Sequence, residues 1–152
     1  MHRLYENDDI VVFWNSEKCF HSKKCVTDSP KTFDITRKPW IDVSLTDNAE
    51  IWQTIEKCPS GALGVAYRHG IDVVMDLENC RSVALDGEKV IGECDYEVSG
   101  DSWTIYHTEV SEAHGGRGIA RRLVYKVIES AEKGKLSVEA TCSYAAKIIR
   151  EG

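Results

Sequence analysis

Three cysteines in the first third of the chain are spaced like ligands of one inorganic centre. Cys19 and Cys25 bracket Phe20-His21-Ser22-Lys23-Lys24, and Cys58 opens the run Cys58-Pro59-Ser60-Gly61-Ala62-Leu63. Thiolates are soft, charge-donating ligands that suit the iron of a cluster. Two from one loop and a third from a distant segment tie separated stretches of backbone to one point, so the centre would also hold a small fold together. Zinc with His21 as fourth ligand is the second option, although zinc sites favour a tighter Cys-x-x-Cys spacing. Three structural cysteines with no centre are the plain alternative.

The rest of the composition is that of an ordinary globular chain. Of 152 residues, 42% are hydrophobic and 29% charged, which bounds the answer to one or two small domains. No run approaches a membrane span, and Met1 to Asp9 lacks the apolar core of a signal peptide. A cytoplasmic, reducing setting is therefore expected, where the six cysteines serve as ligands, catalytic groups or buried small hydrophobes rather than disulfides. The net charge of −6 argues against nucleic acid, whose phosphates need a dense positive face. No low-complexity linker is present. A boundary is expected near Tyr67-Arg68-His69-Gly70, giving modules 1–67 and 68–152 that pack on one another, because units of this size bury little surface alone.

In the first module, Asp9 to Trp14 is apolar and β-branched and predicts a strand. Phe33 to Ile35 and Pro39 to Val43 predict extended chain. A helix is expected from Thr46 or Asp47 as cap, running into Pro59 as its stop, with Cys58 at its end. Trp14, Trp40 and Trp52 are expected in the core. In the second module, Arg81–Leu85 and Lys89–Tyr96 predict a hairpin through Asp86-Gly87, and Ser102–Val110 a third strand. Ile119, Ala120, Leu123, Val124, Val127, Ile128 and Ala131 share one face of a helix expected from Arg117 to about Glu132, ended by Gly134. Leu136–Ala140 predicts a strand and Tyr144–Ile149 a last helix. Cys80 and Cys94 read as ordinary interior or surface cysteines.

The turn into the long helix is rich in glycine: Gly115, Gly116 and Gly118 around Arg117, then Ile119, Ala120 and Arg121. Glycines let a phosphate approach the free N–H groups at a helix start, where the dipole favours an anion. Arg117, Arg121, Arg122 and Lys126 crowd the first turns. Cations there oppose the dipole unless an anion is bound. A solvated basic face is the alternative.

Two resemblances follow from these motifs. Cys19-Phe20-His21-Ser22-Lys23-Lys24-Cys25, Arg37-Lys38-Pro39-Trp40 and Cys58-Pro59-Ser60-Gly61-Ala62-Leu63 resemble, in order, the signature of a divergent group of short mono-cluster ferredoxins. The match spans about residues 5–66. It implies an iron–sulfur cluster on Cys19, Cys25 and Cys58. Ser22 stands where ferredoxins usually place another cysteine. A four-iron cubane would then be completed by Ser22, His21 or solvent, or the site holds a three-iron cluster. His107-Thr108-Glu109-Val110, Gly116-Arg117-Gly118-Ile119-Ala120-Arg121-Arg122-Leu123 and Cys142-Ser143-Tyr144 resemble the very short stand-alone members of the GNAT superfamily of N-acetyltransferases, over about residues 70–150. Gly115 stands where the superfamily's phosphate motif usually begins with Gln or Arg.

The fold expected is α+β, a small ferredoxin-like module followed by a short GNAT-like α/β module. The second resemblance implies coenzyme A on Gly115 to Arg121. It also implies Glu109 and His107 as base groups on one strand face, Tyr144 as the acid for the leaving thiolate, and Cys142 as nucleophile or coenzyme A contact. The function expected is acetyl-CoA-dependent transfer to an amine, with the cluster structural or redox-sensing. The rivals are an acyl-CoA-binding redox sensor without catalysis and a small electron carrier with a redox partner.

Overall fold

The strand Ile10–Asn15 is apolar on both faces, and that decides the layering. Side chains alternate along a strand, so Ile10 and Val12 enter one core while Val11 and Phe13 enter another. A computed structural model describes residues 2–15, 31–34, 36, 39–44, 47–57, 62–115 and 117–151. Strands β1 (His2–Glu6), β2 (Ile10–Asn15) and β3 (Leu63–Tyr67) form an antiparallel sheet in the order β1-β2-β3. Helix α1 (Asn48–Glu56) covers one face with Ile51 and Ile55, against Ile10, Val12, Phe33, Ile41 and Val43.

The second sheet has the order β4-β5-β6-β7-β8: Ile71–Asp76, Arg81–Asp86, Lys89–Ser99, Ser102–Val110 and Ser137–Ala140. Its pairs are antiparallel except β7 with β8, which run parallel. Helix α2 (Ile119–Lys133) makes the parallel crossover, and α3 (Ser143–Glu151) follows β8.

Helix α2 lies between the two sheets and buries side chains against both. Ile119, Leu123, Val124, Val127, Ile128 and Ala131 are each at most 3% exposed, and burying each of the larger ones contributes about 1.5–3 kcal/mol. A second stripe at helical spacing, Arg122, Tyr125, Glu129 and Glu132, meets the first sheet. Tyr125 packs edge-on to Phe13, centroids 5.0 Å apart. Glu129 accepts the N–H of Leu4 at 2.8 Å and Glu132 that of His2 at 2.8 Å, so two carboxylates serve the open edge of β1 as a neighbouring strand would. Arg122, 1% exposed, donates to the carbonyls of Ile71 at 2.8 Å and Arg68 at 3.4 Å.

The structure corrects several expectations. The first module has three paired strands where Asp9 to Trp14 and a second extended stretch over Phe33 to Val43 were expected: β1 and β3 carry polar or small residues, and both pair with β2. Phe33 and Ile41 form a single bridge instead of a second strand. Strand β4 precedes the expected hairpin. Helix α2 begins at Ile119, capped by Gly118 at φ +73°. Asp47 caps α1, accepting from the Ala49 N–H at 2.7 Å. Arg122 turns away from the glycine loop to the inter-sheet carbonyls. No helix among the described residues is long and apolar enough to cross a membrane.

Candidate functional site

Strand β7 is paired on both sides only in its first half. Strand β8 pairs with Ser102 to Ile105, and then the N–H groups of Thr141 and Cys142 both donate to the Ile105 carbonyl, at 2.9 and 3.2 Å. Beyond Ile105 the two strands part. On the other side the register with β6 slips, from Tyr96 opposite Ile105 to Asp95 opposite His107, leaving Tyr106 as an extra residue. A bulge of this kind increases twist and re-aims the following side chains. The result is a gap between the end of β7 and the start of α3.

Cys142 sits at that gap, immediately before α3, whose Ala146 N–H bonds the Cys142 carbonyl at 2.9 Å. Its Sγ lies 3.6 Å from Thr108 Oγ1, which lies 3.6 Å from Cys94 Sγ. Burial opposes the Cys142 thiolate, but N–H donation from Ala145 and Tyr144 and the Thr108 hydroxyl outweigh it, so its pKa falls below the usual 9.0. N–H donors at a helix start favour the nucleophilic thiolate form. Cys94, deep in the core, is pushed up to about 12 by burial. One strand therefore faces an acidified and an inert thiol. Cys80 closes a single helical turn in the left-handed region.

His107 and Glu109 lie together on the outer face of β7, His107 Nε2 3.3 Å from Glu109 Oε2, 49% and 68% exposed. Thr108 between them points the other way, so the structure places the pair and Cys142 on opposite sides of β7. Tyr144 is in the first turn of α3, 40% exposed. Sequence reasoning missed Asp95, across from His107. Burial, then hydrogen bonding and repulsion from Glu93, raise its pKa to about 6. Its signal was the alternation of Glu93, Asp95 and Glu97 along β6, legible only once the bulge fixes who faces whom. Thr108 was missed because threonine in a strand is ordinary.

The glycine turn leads from a short helical turn, Glu112–His114, to α2. No side chain caps α2 and its first turn carries no acid, so N–H donors remain there. Ile119 is buried, Ala120 and Arg121 are half-buried, Gly115 and Arg117 are exposed, and Arg121 lies over the Phe13 ring at 4.4 Å. Gly116 lies outside the described residues.

Cys19, Ser22, Cys25 and Cys58 also lie outside the described residues, but the flanking chain is informative. The Asn15 N–H donates to the Ala62 carbonyl at 2.8 Å, so the segments carrying Cys19 and Cys58 leave from one end of the sheet. The Trp14 indole N–H is buried without a hydrogen-bond partner among the described residues, a donor of the kind that tunes cluster sulfurs. Three thiolates with such a donor fit an iron–sulfur cluster.

The fold is α+β, a module built on the three-stranded sheet followed by one built on the five-stranded sheet. Residues 5–68 match the family model of a divergent 4Fe-4S mono-cluster domain, and residues 81–152 match that of a GCN5-related N-acetyl-transferase. The Escherichia coli K12 protein YjdI is 43% identical over 68 residues, which are 45% of this chain and 87% of YjdI. A GCN5-like protein from Staphylococcus aureus, solved by NMR, aligns at 26% identity over 55% of this chain and 81% of its own, with TM-score 0.44. Diaminobutyrate acetyltransferase EctA from Paenibacillus lautus, solved with L-2,4-diaminobutyric acid and coenzyme A, aligns at 18% identity over 49% of this chain and 47% of its own, with TM-score 0.38.

Proposed function

We propose that the chain is an acetyl-CoA-dependent N-acetyltransferase dividing after Tyr67, with coenzyme A on Gly115 to Arg121 and Cys142 as nucleophile. The observation that carries this reading is the acidified Cys142 thiol at the point where β7 and β8 part. The Cys142 thiolate attacks the acetyl carbonyl, and the coenzyme A sulfur leaves, taking a proton from the Tyr144 hydroxyl. An amine then attacks the cysteinyl thioester, its proton passes to the Tyr144 phenolate, and the carbon–sulfur bond breaks to return Cys142 as thiolate. The unpaired edge of β7 beyond Ile105 is where backbone N–H groups would steady the carbonyl oxygen.

Cys19, Cys25 and Cys58 would hold the cluster, with Ser22 a candidate fourth ligand. When bound, the cluster supplies one-electron chemistry and a cross-link between the chain segments; no step of the transfer runs through it. Its role is structural or redox-sensing. The test is incubation of anaerobically purified protein with acetyl-CoA and no amine. A one-acetyl mass increase on the Cys142 peptide, absent in Cys142→Ser, is expected. Multiple turnover by Cys142→Ser at the wild-type rate, with no adduct on wild type, would overturn the covalent route.

A further inference from the structure

Between the modules lies a cleft of about 300 Å³, lined by Phe13, Trp52, Tyr67, Arg117, Gly118 and Arg121 among others. Most of its wall comes from the first module, through β2, α1 and β3, and the rest from His69 and the start of α2. Three observations bear on what it takes. Arg117 and Arg121 form no ion pair with a carboxylate among the described residues, and they stand at a helix start that itself favours an anion. Trp52 and Tyr67 are stacked, centroids 4.7 Å apart at 27°, with Tyr67 56% exposed. The Trp52 indole N–H is held by Glu56 Oε1 at 3.0 Å, which fixes the ring plane. An exposed, oriented stack beside two unneutralised guanidinium groups suits a planar base carrying phosphate.

The geometry points to this cleft as a purine-nucleotide site that receives the adenosine-phosphate end of the acyl-CoA, so that the iron–sulfur module supplies the base-stacking wall of the coenzyme site. This rests on the acyl-CoA reading above. The base extends the Trp52–Tyr67 stack, the phosphates meet Arg117, Arg121 and the N–H groups after Gly118, and the pantetheine arm runs on toward the β7–β8 gap. The volume holds a nucleotide and not the whole coenzyme.

The experiment is isothermal titration of the full-length, anaerobically purified protein with acetyl-CoA, with S-acetylpantetheine and with ADP. Wild type is compared with Tyr67→Ala and Arg117→Ala, both exposed positions whose folding is checked by circular dichroism. Each variant is expected to weaken acetyl-CoA about tenfold while S-acetylpantetheine binding is unchanged, since stacking and phosphate contacts are lost with the nucleotide. Equal acetyl-CoA affinity in all three proteins overturns the inference and leaves the acyl-CoA reading intact. ADP binding that depends on Tyr67 and Arg117, yet is not displaced by acetyl-CoA, overturns the assignment to the coenzyme in favour of a free nucleotide. No acetyl-CoA binding by wild type overturns both readings.

Discussion

Replacing Arg122 with methionine removes the one guanidinium buried between the two sheets. Arg122 Nη2 donates to the Ile71 carbonyl at 2.8 Å, Nη1 to the Arg68 carbonyl at 3.4 Å, and Nη2 lies 3.9 Å from Glu6 Oε2. A hydrogen bond from a charged group contributes about 1.5–3 kcal/mol, and its loss strands a buried carbonyl. The longer second bond adds less. Glu6 is 45% exposed, so that pair is worth about 0–1 kcal/mol. Burial lowers the Arg122 pKa, a sign of the desolvation cost that methionine would recover in part. The balance is a loss of about 2–3 kcal/mol. With a urea slope near 2 kcal/mol/M for a chain of this size, the unfolding midpoint falls by about 1–1.5 M. The assay is urea unfolding followed by far-ultraviolet circular dichroism, with both proteins in the same anaerobic buffer and equally loaded with iron. A midpoint shift below about 0.3 M would refute the reasoning, because it would mean the carbonyls find water and the two sheets need no staple.

Other expectations are as direct. Alkylation by iodoacetamide, read peptide by peptide, will show Cys142 reacting with a midpoint below pH 9.0 in the folded protein, with Thr108→Val moving that midpoint upward, while Cys94 stays unreacted through pH 10; a folded midpoint for Cys142 at or above that of the urea-unfolded chain sinks the acidified-thiol argument. Asp95→Asn will raise the melting temperature at pH 7.5 and leave it unchanged at pH 3.5. The sign follows from a folded pKa raised to about 6 from 3.8: the carboxyl's contribution is full below 3.8 and is lost as pH rises through 6, so removing the charge helps only above that window. A benefit that persists at pH 3.5 would contradict it. Gly118→Ala will cost about 1–2 kcal/mol in urea unfolding, because φ +73° is a left-handed conformation and the new methyl would stand 3.3 Å from Ala66 Cβ; an unchanged midpoint would show that the turn relaxes freely.

Periodicity made the strong elements legible. The seven-residue apolar face of α2 and the Asp86-Gly87 hairpin stand where the sequence places them, because local pattern and tertiary burial agree there. Strands β1 and β3 were hidden because neither Arg3-Leu4-Tyr5 nor Gly64-Val65-Ala66 alternates clearly; their pairing is dictated by β2 and by carboxylates more than 120 residues away. The same distance hid the role of Arg122, whose place among other arginines looked like part of an anion site. Cys142, His107 and Glu109 stand as candidates on their motifs alone, and the fall in the Cys142 thiol's pKa follows from the N–H groups of Ala145 and Tyr144 and the Thr108 hydroxyl, which only the fold brings to it. That Cys142 and the His107–Glu109 pair sit on opposite sides of one strand could be known only from the fold. The cleft was invisible for a simple reason: its two halves belong to different modules.

Helix α2, buried against both sheets, is a party wall rather than a partition. Cut the chain near Arg68, and the first half would display Leu4, Val11, Phe13 and Ala66 to water, while the second would display Tyr125 and leave Arg122 and Glu129 without the backbone groups they serve. Neither piece is a finished building. Dissection into independent halves would therefore yield fragments that associate with each other or with themselves, and co-expression of the two as separate chains is expected to rebuild the whole where either alone would not stay in solution.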